Sequence, residues 1–236
     1  MPEASVTPSA PRNPWAWIPT LYFTEGVPYA LVTAVSIVLY KDLGISNAEI
    51  TFISSWLTLP WIIKPLWSPV VDILKTRRLW ICGMQLALAL AIAAVVPALS
   101  GEHFLLWSLL FFCLAAFTSA THDIAADGFY MLANSEWQQS FFSGVRNTFY
   151  RLATIFAGGL LLLLAGKIQK HTGNVVFGWQ IAFAVAAGTI ALLTAYHVLI
   201  LPKPTRDVPG EIHSIGKFWR EFFGTFRSFF QKPQIG

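Results

Sequence analysis

Six stretches of the 236-residue chain are apolar almost without interruption, at about 15–40, 48–71, 79–99, 104–132, 141–166 and 175–201. Each is close to the roughly 20 residues that a helix needs to cross a bilayer. The connections between them (KDLGISN, DILKTRR, SGEH, ANSEWQQS, KIQKHTGN and PKPTRD) are short and polar. Consecutive spans are therefore expected to be antiparallel neighbours, and the long fourth segment to tilt or project beyond the membrane. Pro19 and Pro28 punctuate the first span and Pro60, Pro65 and Pro69 the second. Each frees a carbonyl, which makes either a simple kink or a broken helix at a binding site.

After Pro202 the period changes. Ile212, Ile215, Trp219, Phe222, Phe226 and Phe230 recur at steps of three and four, with Lys217, Arg220, Glu221 and Arg227 largely off that stripe. This predicts an amphipathic basic helix on the inner membrane surface within 202–236, with a partner-binding helix as the competing reading. Residues 1–14, rich in Pro and Ser, are expected to be disordered. The start of the chain has no basic region ahead of its apolar run, and that run is too long for a signal peptide, so no cleavage is expected.

Composition sharpens this picture. The chain is 55% hydrophobic and 12% charged, against about 25% charged for an ordinary soluble domain. It reads as an all-α integral membrane protein. The net charge of +4 reflects basic loops rather than a nucleic-acid surface, since no basic stripe with interleaved aromatics lies outside the spans. Arg12, Lys75, Arg77, Arg78, Lys203 and Arg206 would lie on one side, against Lys41, Lys167 and Lys170 on the other. That asymmetry places both termini in the cytoplasm. Cys82 and Cys113, both inside spans, read as packing residues.

Charge inside the spans carries the chemistry, because intramembrane ionisable groups usually line a pathway. Glu25 lies in the first span, Lys64 in the second, His122, Asp123 and Asp127 in the fourth, and Arg146 and Arg151 in the fifth. The third has none and the sixth only His197. If the hairpin between spans four and five pivots near Trp137, Asp127 faces Arg146 and Asp123 faces Arg151. Glu25 and Lys64, each roughly 12 Å deep at about 1.5 Å per residue, form a third candidate pair. These pairs are either static ties between helices or a coupled site, in which a carboxylate that loses its basic partner in a dry cavity takes up a proton. Asp123, Asp127 and Glu25 are then proton-coupling candidates. Lys64, Arg146 and Arg151 are candidates for binding an anionic solute, with Tyr22, Tyr29, Tyr130, Tyr150 and either Trp56 or Trp61 offering hydrogen bonds and stacking surfaces. A metal site at His122 and Asp123 is disfavoured because the two point about 100° apart on a helix. No nucleophile elbow accompanies Ser119, His122 and Asp123, so enzyme chemistry and bound cofactors are not expected.

Four charged helices around a cavity and two outside it would match the arrangement of one half of a major-facilitator transporter, where each half is a pair of inverted three-helix repeats. The run LPWIIKPLWSPVVDILKTRR, residues 59–78, resembles that superfamily's signature between spans two and three. Ser68 stands where glycine is usual, Asp72 is the acid, and Arg77 and Arg78 supply the basic cluster, while Ile73 replaces the usual arginine. Together with SATHDIAADGFY and FFSGVRNTFYRLA, the run is similar to the muropeptide permease (AmpG-like) branch, itself related to acetyl-CoA transporters. The resemblance implies a twelve-span, alternating-access protein of the bacterial inner membrane, importing anhydro-disaccharide peptides with protons. This chain looks like its N-terminal six-helix half plus the central linker, so a second half is an implied partner. Two alternatives stay open: a carrier of another anionic solute such as a coenzyme A thioester, and a scaffold or sensor acting through the C-terminal helix.

Overall fold

The computed structural model describes residues 12–209 together with positions 219, 220, 223, 224 and 227. The described residues form helices joined by short turns. Five helices are long and apolar enough to cross a membrane: Pro14–Asp42, Arg77–Ala98, Phe104–Ala133, Glu136–Thr172 and Val175–Ile200. The second span is a pair, Asn47–Leu66 and Ser68–Leu74, bent by 57°. Most of the expected amphipathic helix, and the N-terminal residues 1–11, lie outside the described residues.

Local chemistry sets the helix ends. Ser46 and Ser135 each cap a helix through a reciprocal box with Glu49 and Gln138 respectively, satisfying amides that no intrahelical carbonyl reaches. Thr76 and Asn174 cap the third and sixth spans. Gly173, at φ 68°, closes the fifth in the left-handed conformation. The Ser135 cap corrects the expected pivot: the turn is at Asn134–Ser135, Trp137 is already helical, and the fifth helix starts five residues before the expected 141. At 37 residues it, rather than the fourth, is the longest span.

Prolines act unequally. Pro60 is carried inside the helix Asn47–Ile63, and the break falls at the 3-10 turn Lys64–Leu66. Pro65 has no amide to continue the helical hydrogen bonds; Lys64 keeps helical dihedrals and the backbone departs at Ile63, at φ −92° and ψ 1°. The Trp67 indole donates to Thr121 Oγ1 at 3.1 Å, holding the bend against the fourth span. Wide π-helical turns interrupt the first span at Leu31–Val35, just beyond Pro28, and the fifth at Phe156–Leu161.

The third span packs along the fourth and the sixth, and the first along the fifth. Small residues on the fourth span (Ala115, Ala116, Ala120, Ala125, Ala126), all buried, permit this close approach. At the end away from the termini, Trp179 donates to Asp42 at 3.1 Å and Gln180 to Val96 O at 2.9 Å. Cys82 is half-buried, whereas Cys113 is exposed and is not the packing residue expected.

At the end carrying the termini, the chain leaving the sixth span folds back on the third. The Asp207 carboxylate accepts from the backbone amides of Arg77 and Arg78, at 2.7 and 3.0 Å. Arg78 donates to Val198 O and Leu201 O, capping the sixth helix. Arg77 pairs with Asp72 at 2.8 Å and lies over Gly128, where an added Cβ would sit 2.3 Å from Arg77 Nε. Of the signature residues, Ser68 starts the short helix Ser68–Leu74, and Asp72, Arg77 and Arg78 are joined through these contacts. Asp207→Asn removes the charge from both bonds and puts an NH2 donor in place of one acceptor oxygen, so we expect a local loss of roughly 1–3 kcal/mol. Faster hydrogen exchange at the Arg77 and Arg78 amides checks it, and unchanged protection would contradict it.

Candidate functional site: a charged cavity

A cavity of about 380 Å³ opens between the first, second, fourth and fifth spans. Tyr22, Glu25 and Tyr29 line it from the first span, Trp61 and Lys64 from the second, Asp123 from the fourth, and Arg146, Asn147 and Tyr150 from the fifth. The third and sixth spans contribute no lining residue.

Each charge is placed by a local feature. Lys64 sits in the 3-10 turn where the second helix breaks, and its Nζ is 3.7 Å from Asp123 Oδ2. Asp123 is 6% exposed. Arg146 pairs with Asp127, which also accepts from the Tyr22 hydroxyl at 3.1 Å. The guanidinium fills a corner between the Tyr22 and Tyr130 rings, 4.1 and 4.3 Å from their centroids. Two aromatic faces stabilise the cation. Tyr130 lies behind Arg146 rather than on the cavity, with its hydroxyl donating to Gln139 O at 2.5 Å.

Two expectations need correction, and one open alternative is resolved. Lys64 pairs with Asp123 and not with Glu25, because the break at Pro65 swings it toward the fourth span. Arg151 does not meet Asp123: it is exposed and absent from the lining. It lies five residues after Arg146, about 140° further round the helix at about 100° per residue. Trp61, not Trp56, faces the cavity; Trp56 is exposed. Asn147 was not anticipated, although it shares a helix face with Tyr150 three residues on.

A second polar feature lies in the interior. The Gln85 amide nitrogen donates to His122 Nε2 at 3.0 Å, and its carbonyl accepts from His197 Nδ1 at 2.9 Å. His197 Nε2 is 3.0 Å from Thr20 Oγ1. This chain joins spans four, three, six and one, and Gln85, His122 and His197 are buried. With His122 fixed inward, its neighbour Asp123 is held on the cavity side of the fourth helix. Gln85, a lone amide in an apolar span, was the sequence signal for it.

A cavity lined by the first, second, fourth and fifth spans, with the third and sixth outside the lining, is the arrangement that the distribution of intramembrane charge led us to expect. The family model of the Major Facilitator Superfamily matches residues 20–235. The chain belongs to the Major Facilitator Superfamily. Within that superfamily it is similar to "Putative transporter AmpG 4" of Rickettsia conorii, with 27% identity over 223 residues, 90% of this chain and 51% of that protein. It is also similar to the anhydromuropeptide permease of Escherichia coli K12, with 29% identity over 197 residues, 80% of this chain and 37% of the permease. The chain spans about half the length, or less, of the curated relatives it matches.

Proposed function

We propose that this chain is the N-terminal six-helix half of a proton-coupled secondary transporter, importing an anionic solute of the muropeptide class across a bacterial inner membrane. Both termini then face the cytoplasm, and a second six-helix half completes the path. The observation that carries this reading is the convergence of Glu25, Lys64, Asp123 and Arg146 from four different helices on one cavity. Intramembrane charge is expensive and concentrates where solutes and ions pass. Likeness to an anhydromuropeptide permease supports the solute class.

Lys64 and Arg146 supply the positive charge for the solute's carboxylates. When either exchanges its internal partner for the solute, Asp123 or Asp127 is left without its cation and binds a proton instead. Tyr29, Tyr150 and Trp61 offer ring faces and hydrogen-bonding groups to a sugar.

Arg146 and Arg151 give a test that separates the cavity from general basic charge. With the full chain in lipid nanodiscs, Arg146→Ala is expected to weaken binding of a muramoyl peptide by roughly tenfold or more. Arg151→Ala, outside the cavity, is expected to stay within about twofold. Equal losses in the two variants, or none in Arg146→Ala, would refute the assignment of the cavity.

A further inference from the structure

Apart from the charged cavity, a second hollow of about 380 Å³ opens between the first, fifth and sixth spans. Thr20 and Phe23 line it from the first span, Phe149 from the fifth, and Thr189, Leu192 and Leu193 from the sixth. None of these is charged. Both threonine hydroxyls are already engaged, Thr20 with His197 and Trp17 O, and Thr189 with Val185 O. The groove therefore offers an occupant apolar contact and almost no hydrogen bonding.

Toward the end carrying the termini, the chemistry along this seam changes in steps. Tyr196 follows Leu192 and Leu193 on one face of the sixth helix, and its hydroxyl donates to Ala16 O at 2.5 Å. Phe142 shares a face of the fifth helix with Phe149, and Trp15 meets it edge to face with ring centroids 5.1 Å apart. Trp15 is 53% exposed. Beyond these rings the exposed Arg12 donates to Leu199 O. Leu199 lies one further stretch of about 10 Å along the helix from Leu192, at about 1.5 Å per residue. Lys203 and Arg206 are exposed on the chain leaving the same helix, while Asp207 is engaged by the Arg77 and Arg78 amides. The succession is apolar groove, then indole and phenol, then guanidinium. One phospholipid molecule has the same order: acyl chain, glycerol esters, phosphate. Tryptophan and tyrosine favour the headgroup boundary, and basic side chains at that edge attract anionic lipids.

We propose that this groove binds an anionic phospholipid, with an acyl chain against Phe23, Phe149 and Leu192 and the phosphate at Arg12. A guanidinium has five N–H donors, so the bond to Leu199 O leaves others for phosphate oxygens. Charge favours a lipid over a second copy of this chain, which would bring the same basic rim against itself. The site shares no residue with the charged cavity, so it stands or falls apart from the solute-binding reading.

The test releases the full chain from nanodiscs holding phosphatidylglycerol and phosphatidylcholine in equal amounts, and reads the retained lipid by native mass spectrometry. The unaltered protein is expected to retain phosphatidylglycerol in preference. Arg12→Gln is expected to lower that preference roughly fivefold, the effect of one basic side chain near the surface. Arg12→Lys, which keeps the charge, and Lys170→Gln, at the opposite end of the bundle, are expected to leave it unchanged. Thr189→Phe, which fills the groove, is expected to reduce retention of both lipids, with unchanged helical circular dichroism showing that the variant is folded. Equal retention of the two lipids by the unaltered protein would overturn the site. So would equal losses in Arg12→Gln and either control, or retention indifferent to Thr189→Phe. Dimers without retained lipid would give the groove to a second copy and overturn it as well.

Discussion

Lys64→Ala is expected to destabilise the bundle by roughly 2 kcal/mol, and Lys64→Ala/Asp123→Asn to recover most of that loss. Breaking an ion pair from one side strands the other charge, which in a fully buried setting costs about 3–5 kcal/mol. Here the Lys64 side chain is 34% exposed and that of Asp123 9%, so solvent screens part of the interaction and the lower figure applies. Removing the stranded charge as well leaves an amide that tolerates the same surroundings. The pair is coupled, so the double variant must be more stable than the sum of the single effects requires. Thermal unfolding of the unaltered protein, Lys64→Ala, Asp123→Asn and the double variant in one detergent measures this. Additive losses would mean that the two side chains do not interact. Binding of the muramoyl peptide is expected to fall in both variants, because a cavity without Lys64 has lost half its positive charge.

Gly26→Ala is expected to lose about 1–2 kcal/mol and to open the contact between the first and fifth spans. A Cβ at position 26 would lie 2.7 Å from Tyr150 O and 2.8 Å from Ala153 Cβ. Neither atom can rotate away, since one is backbone and the other is fixed to it. Overpacking of this kind costs about 1–3 kcal/mol, against which alanine's helix preference over glycine returns up to about 1 kcal/mol. The steric term wins. Gly188, with open space where its Cβ would go, is the control: Gly188→Ala is expected to be neutral or slightly stabilising. Unfolding midpoints of the two variants check the argument, and a Gly26→Ala midpoint equal to that of Gly188→Ala would sink it. Glu25 and Tyr150 flank this contact, so solute binding should weaken along with stability.

Much of the site was legible because charge in an apolar span is rare enough to count. Glu25, Lys64, Asp123 and Arg146 stand out by composition alone, and the four-residue step between Asp123 and Asp127 gives them one face of the fourth helix. Asp127 pairs with Arg146 as expected, although the turn lies at Asn134–Ser135 and not near Trp137. The same arithmetic, applied to the five-residue step from Arg146 to Arg151, already turns Arg151 away. Lys64's partner was not legible, because it depends on a 57° bend whose location among three prolines is decided by packing. Pro60 is absorbed in a helix and Pro65 is not. The Gln85 chain was missed for another reason: an uncharged amide draws no notice in a search for ions, yet two buried imidazoles turn toward it.

Asp207 grips two successive amides of the third span while Arg78 grips the last carbonyls of the sixth. Holding adjacent rungs with both oxygens resists slippage in either direction along the helix axis. The segment leaving the bundle and the loop joining spans two and three are thus fastened together. A tilt of either helix that shifts the loop therefore also displaces the segment after Leu201.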